Sequence, residues 1–269
     1  ILLMSATPIP RTLILALYGD MDVSKLIEKP MYRKKIITLS KPEEKMEEIL
    51  LYIKKQIDSG NQVFWVCPLI EESKNLNYSA AVKKYNFLSK KFMNKVGLIH
   101  GDIEKKKRDS VLNEFLNKKI SILVSTTVIE VGIDFPNANV IVIENSNKFG
   151  LSQLHQLRGR VGRGINQSTC LLLYKNNLSE NAKKRIQILK ASNDGFYIAE
   201  KDMKLRGFGD VLGYQQSGIK NFKIADPIHH QELFVIAEKN IKEVESNKNN
   251  FKKFDFLLKL FDKADIVNE

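Results

Sequence analysis

The segment Gln153-Leu154-His155-Gln156-Leu157-Arg158-Gly159-Arg160-Val161-Gly162-Arg163-Gly164 concentrates the residue types best able to hold an anion. Arginine carries a permanent charge on a planar fork of donors that matches phosphate oxygens. Glycine lets backbone approach an anion without a clash. Arg160 and Arg163 flank Val161-Gly162, a spacing that lets both forks converge on one target. Taken alone, the run is equally a solvated basic loop or a nucleic-acid patch. Its neighbours decide between them.

Ser125-Thr126-Thr127-Val128-Ile129-Glu130-Val131-Gly132-Ile133-Asp134 sets three hydroxyls at the end of an apolar, β-branched run. Hydroxyl and N–H groups there can bind backbone phosphates as the chain enters a short helix. Gly132 permits close backbone approach, and Asp134 offers a carboxylate to a sugar hydroxyl. A helix cap followed by a turn is the structural alternative. Ser5-Ala6-Thr7-Pro8-Ile9-Pro10-Arg11-Thr12 places small hydroxyl residues after another apolar run, as a relay between a nucleotide site and a second surface or as a plain turn. His100 closes a further strand and reads as structural.

The histidines and the two cysteines show no metal-ligand spacing, and no Gly-x-Ser-x-Gly turn is present. Nor does any Gly-x-x-x-x-Gly-Lys-Ser/Thr cradle for phosphates occur in the 269 residues. Arginines aimed at a γ-phosphate without a cradle imply that the cradle lies elsewhere.

The elements that must position these groups alternate from Lys35 to Tyr174. Strands are expected at Ile36–Leu39, Val63–Cys67, Val96–His100, Ile120–Val124, Val140–Ile143 and Ser168–Tyr174. Between them the spacing predicts helices from Pro42 to about Ser59, near Tyr78–Phe92, from about Glu104 to Asn117, and over Ser152–Leu157. Met46, Ile49, Leu50, Ile53 and Ile57 form one apolar stripe, closed by Gly60. This pattern is a doubly wound α/β lobe, whose ligands are expected at the carboxyl ends of the strands.

After Tyr174 the pattern becomes helical. Ser179 reads as an N-cap for Ala182–Lys190, Asn193-Asp194-Gly195 as a turn, and Phe196–Leu205 as the second arm of a helical hairpin. A glycine-rich loop, Arg206 to Gly218, precedes two further amphipathic helices, about His230–Glu245 and Phe251–Asp262. Three divisions are therefore expected: 1–34, an inter-lobe segment; 35–175, the α/β lobe; and 176–269, the hairpin, loop and terminal helices.

At 43% hydrophobic residues the chain can bury a sizeable core. Its net charge of +12 predicts attraction to polyanions, although abundant Lys, Asn and Ile also follow from an A/T-rich genome. Cys67 and Cys170 sit in separate apolar runs and are expected as buried, reduced thiols. Without a secretory signal or a bilayer-spanning run, the expected location is cytosolic. Ile1-Leu2-Leu3-Met4 reads as the end of a buried strand, so a preceding segment is expected.

These residues carry a resemblance. Ser5-Ala6-Thr7, Val124 to Asp134 and Gln156-x-x-Gly-Arg-x-Gly-Arg163 resemble motifs III, V and VI of superfamily 2 helicases. More narrowly, Thr7-Pro8-Ile9-Pro10-Arg11-Thr12, Trp65 to Ser73, Phe149 to Gln156, and Asn193-Asp194-Gly195-Phe196 with its following loop resemble the RecG family of bacterial branched-DNA helicases. The related Mfd translocases share the proline motif, motif VI and the hairpin, but lack Cys67-Pro68-Leu69-Ile70-Glu71-Glu72-Ser73.

The resemblance implies a RecA-like second helicase lobe followed by a mostly helical region, and an ATP-dependent activity with Mg²⁺ on forks and junctions in recombination and repair. Arg160 and Arg163 would be arginine fingers, with Gln156 sensing the γ-phosphate. Gly132 and Asp134 would face ATP, Thr126 and Thr127 the DNA backbone, and Arg206 and Gln216 would couple translocation. Phe208 stands where the family usually has proline and Gln215 where arginine is usual. ATP and Mg²⁺ would be held mainly by a first lobe that, with the family's wedge domain, lies outside this chain. The chain alone would then be inactive, and the intact protein a monomer. The alternatives are a fragment of an Mfd-like transcription-repair translocase and an inactive DNA-binding remnant.

Overall fold

Alternate residues of the central strands face two different helical layers, and this alternation organises the lobe. The computed structural model describes residues 33–68, 74–93, 95–101, 103–126, 135–206 and 230–245, together with Met4, Ser24, Leu26 and Glu28. Six strands form one sheet: β1 (Ile37–Pro42), β2 (Gln62–Val66), β3 (Val96–Ile99), β4 (Ile122–Ser125), β5 (Ala138–Ile143) and β6 (Thr169–Tyr174). Their order is β1-β6-β5-β2-β4-β3, and every neighbouring pair is parallel. Parallel neighbours require crossovers, which the helices supply. These are α1 (Met46–Asp58), α2 (Lys74–Phe92), α3 (Lys105–Leu116), α4 (Leu151–Arg158), α5 (Glu180–Ala191) and α6 (Gly195–Arg206).

On one face Val63, Trp65 and Cys67 pack with Ile49, Leu50 and Ile53 of α1 and with Ala81 and Leu88 of α2. On the other, Phe64 and Val66 pack against Phe115 of α3, three leucines of α4, Ile186 and Leu189 of α5, and Ile198 of α6. Phe64, Phe115 and Phe135 form an aromatic trio with ring centroids 5.3 to 5.6 Å apart. The hairpin arms α5 and α6 thus cover the same sheet face as α4. Leu26–Leu205 belong to one compact unit, while a seventh helix, α7 (Gln231–Glu245), belongs to a second.

Local signals account for several boundaries. Gly60 has φ +81°, a left-handed conformation that stops α1. Ser179 caps α5, its Oγ accepting from the Ala182 N–H at 3.3 Å. Replacing it, Ser179→Ala, is expected to cost about 1 kcal/mol. Urea unfolding of the 269-residue chain measures this, and an unchanged midpoint would remove the cap from the account.

Other boundaries differ from the sequence expectation. Pro42 ends β1 rather than opening a helix, because its register partner Tyr174 extends the β1–β6 ladder to that point. A 3-10 turn, Glu43–Lys45, follows before α1 begins. Helix α2 starts at Lys74, four residues before the expected Tyr78; Asn75 and Asn77, weak helix formers, hide its first turn. β4 begins at Ile122, and Ile120 is buried ahead of it in the core around Phe115. The expected helix Phe251–Asp262 and the loop from Gly207 to Gly218 lie outside the described residues.

Both cysteines are buried and free. Burial pushes the Cys170 thiol up to about 12, and burial together with the Glu144 carboxylate raises that of Cys67. Thiols held protonated in this way are poor nucleophiles. Among the described residues no helix is long and apolar enough to cross a membrane.

Candidate functional site

The arginine segment is built from the end of α4. Leu151, Leu154, Leu157 and Arg158 are its buried face, while Gln156 points outward. The chain leaves the helix through tight turns, with Gly159 N–H donating to His155 O and Arg160 N–H to Leu157 O, both at 3.0 Å. Val161 is 2% exposed and pins the turn into the core. Gly162 then reverses direction at φ +78°. A Cβ at Gly162 would lie 3.0 Å from Ile36 Cγ1, and one at Gly164 only 2.5 Å from the Pro136 carbonyl oxygen. Glycine is therefore needed at Gly162 for its conformation and at Gly164 for close backbone packing.

Arg160 and Arg163 emerge on either side of the buried Val161, both partly buried themselves. Burial, and then the neighbouring Arg163 charge, pull the Arg160 pKa below the usual guanidinium value. Two like charges brought together at low solvation favour an anion between them. Gln156 lies one helical turn upstream of Arg160. The structure brings Arg160 and Arg163 together, with Gln156 exposed on the last turn of α4.

The edge of the sheet they occupy is a correction. Ligands were expected at the carboxyl ends of the strands, but the arginine segment lies at the amino ends. Gly164 abuts Pro136, just ahead of β5, and Gly162 abuts Ile36, just ahead of β1. Ile37 N–H donates to Ser168 O at 2.9 Å and Gln167 Nε2 to Lys35 O at 2.7 Å, fastening the segment's far end to the same edge. The reason is α4 itself. It starts past the carboxyl end of β5, and its eight residues carry the chain back across the sheet by about 12 Å.

Thr126 sits at the opposite edge, directly after β4, and is 3% exposed. Its N–H donates to Ile99 O at 3.4 Å. Thr127, Gly132, Asp134 and Gln216 lie outside the described residues, as does the Ser5-Ala6-Thr7 segment. Arg206 is the last residue of α6. Among the described residues no group of three or more His, Cys, Asp or Glu could hold a metal ion.

Two residues that matter to the site were not singled out from sequence. Arg158, third in type with Arg160 and Arg163, is 2% exposed. Its Nη1 donates to Leu189 O at 2.6 Å, Ser192 O at 2.9 Å and Thr38 Oγ1 at 3.3 Å. It thereby satisfies carbonyls at the end of α5 and meets the negative end of that helix's dipole. Arg158 Nη2 lies 3.0 Å from His155 Nδ1; arginine only donates, so His155 carries its proton on Nε2. Arg185 of α5 returns the link, donating to Phe149 O and Asn147 O at 3.0 Å. Ser152 Oγ donates to Asp202 of α6 at 2.5 Å, and Asn193 Nδ2 to Ile36 O at 3.3 Å. The helix that leads into Arg160 and Arg163 is thus bonded at both ends to the hairpin. Only the buried register of α4 could have signalled Arg158, which falls seven residues after Leu151.

Comparison with known proteins agrees with this arrangement. Residues 41–164 match the model for the helicase conserved C-terminal domain, and residues 192–262 that for the C-terminal part of domain 3 of the ATP-dependent DNA helicase RecG. The chain is 46% identical to the ATP-dependent DNA helicase RecG of Bacillus subtilis (strain 168) over 242 residues, 89% of this chain and 35% of the relative. For the protein of that name from Escherichia coli (strain K12) the identity is 45% over 234 residues, 86% of this chain and 34% of the relative. A solved structure of RecG bound to a three-way DNA junction superposes with a TM-score of 0.68 at 44% identity, covering 86% of this chain and 30% of that one. The chain therefore spans about a third of the length of the curated relatives it matches. Identity at this level, carried through the RecA-like lobe and on into the helices after it, makes the chain a member of the RecG helicase family, corresponding to its carboxyl-terminal part.

Proposed function

We propose that the chain is the second motor lobe, with its translocation hairpin, of an ATP-dependent DNA helicase that acts on branched DNA. The observation that carries this reading is the paired Arg160 and Arg163 at the amino edge, in the turn that directly follows a helix bonded to the hairpin. The solved relative bound to a three-way junction supports branched DNA as the substrate class. In this reading residues 35–175 are the lobe, 176–269 the hairpin, loop and terminal helices, and 1–34 the connection to the first lobe.

The two guanidinium groups would neutralise charge building on the γ-phosphate of ATP, with Gln156 reporting its presence to α4. Arginine fingers of this kind are worth about 10³ to 10⁵ in rate. Gly132 and Asp134 would line the nucleotide, and Thr126 and Thr127 would hold a DNA strand. ATP, with Mg²⁺, would be bound mainly by a separate lobe carrying the phosphate cradle that these 269 residues do not contain. The residues present fit that division in offering cationic donors for phosphate.

The hairpin would convert nucleotide state into movement, with Arg206 and Gln216 at the working end. Combined with the first lobe and wedge domain of the Bacillus subtilis relative, the chain is expected to unwind a forked duplex in the presence of ATP. Unwinding no faster than by those domains alone would contradict the reading. In the same assay Gln216→Ala is expected to leave ATP hydrolysis within about twofold while lowering fork unwinding by tenfold or more. Equal loss of both would remove Gln216 from coupling.

A further inference from the structure

The carboxyl ends of β1 and β6 and the outer face of α5 enclose an open groove of about 770 Å³ that the motor reading leaves unused. Tyr174 and the buried Ile186 give it an apolar lining, and Ser40, Asn177, Lys183 and Lys190 supply polar groups. Lys183 and Lys190 are seven residues apart on α5, which puts them on one face and about 10 Å apart along the helix axis. That separation is too great for one phosphate group to engage both. It leaves each lysine to engage its own phosphate along a nucleic-acid strand.

The acidic groups nearby offset this charge only in part. Glu180 pairs with Lys183 at 2.8 Å, but both side chains are more than half exposed, so the pair is solvent-screened and easily exchanged. Glu44 accepts from Asn176 Nδ2 at 2.7 Å and keeps its charge at the rim, while Glu48 pairs with Lys41 and Lys45. Lys190 Nζ is held toward the groove by Ser40 Oγ at 3.4 Å.

We infer that this groove takes the sugar-phosphate backbone of a DNA strand, as a second track contact beyond Thr126. Because all the strands are parallel, the groove and Thr126 share the carboxyl edge. From β4 to β1 is four strand spacings, about 19 Å, a span that a few nucleotides of one strand bridge. The inference rests on the proposed DNA-binding function and adds a site to it.

The test is the salt dependence of binding of the full chain to a fluorescent forked duplex. The double variant Lys183→Ala/Lys190→Ala is expected to fold as the parent does, by its unfolding midpoint, and to lower the slope of log K against log salt by about 1.8. Affinity should fall about tenfold at 0.15 M salt. The control Lys54→Ala/Lys55→Ala, on exposed positions of α1, should leave the slope unchanged. A photo-crosslinker on Gln187→Cys should attach to the DNA and one on Lys54→Cys should not. An unchanged slope and no Gln187 cross-link, with the parent still bound, would overturn the groove and leave the motor reading intact. An equal effect in the control pair would likewise overturn it. Failure of the parent chain to bind any DNA would sink the DNA-binding reading itself.

Discussion

Arg163→Ala is expected to lower DNA-stimulated ATP hydrolysis by the assembled motor at least 10³-fold. The 269-residue chain would be combined with a first lobe that supplies the phosphate cradle, and turnover measured at saturating DNA. Arg163 is partly buried beside Arg160, directly after the left-handed Gly162. The turn itself is set by the buried Val161 and the left-handed Gly162, so the unfolding free energy should fall by no more than about 1 kcal/mol. Loss of hydrolysis with retained stability is the signature of a residue acting on phosphate. Full activity in Arg163→Ala would remove it from the mechanism.

Arg158→Ala should do the opposite. Its guanidinium is the donor for the buried Leu189 O and the part-buried Ser192 O, both of which would lose it. Each orphaned carbonyl costs about 1 to 3 kcal/mol, so a loss of about 3 kcal/mol is expected. In a unit of this size that lowers the thermal midpoint by roughly 10 °C. Arg158→Lys should recover part of it, because an ammonium can reach one carbonyl but cannot span the set. A loss below about 1 kcal/mol would mean that Arg158 is not the bond between α4 and the end of α5. The two substitutions separate two arginines of identical type five residues apart in sequence.

That contrast shows where sequence was sufficient. The Ile49, Leu50 and Ile53 stripe, the Gly60 stop and the Ser179 cap are local signals, each decided within one helical turn, and each appears in the fold. The alternation of apolar strands with helices likewise specified a parallel sheet, since no short turn can join parallel neighbours. What could not be read was set by chain segments far apart. Arg158 became structural because the end of α5, 31 residues away, presents its carbonyls there. The arginine pair moved to the amino edge because α4 crosses the whole sheet before ending. A run such as Ala138–Ile143 reads as uniformly apolar around Asn139, yet Asn139 accepts from Ser168 Oγ at 3.2 Å and donates to Asn61 at 2.8 Å. This polar rung ties the amino ends of β2, β5 and β6 beneath the arginine segment, and nothing local announces it.

The split of the site between two edges also has a functional meaning within the proposed motor. In that proposal Arg160 and Arg163 would serve the nucleotide from the amino edge and Thr126 the DNA strand from the carboxyl edge, with the sheet and α4 between them. A change in nucleotide state at Arg160 and Arg163 would be passed through α4 to the hairpin by the Arg158, Arg185 and Ser152–Asp202 bonds.

The central claim is that Arg160 and Arg163 are one half of an ATPase site whose phosphate cradle lies on another lobe. The most direct measurement is the rate of ATP hydrolysis by the 269-residue chain, with DNA present, before and after the cradle lobe is added. The account predicts no turnover above background before addition and DNA-stimulated turnover after it. Hydrolysis by the chain alone at the rate of the assembled motor would contradict the account.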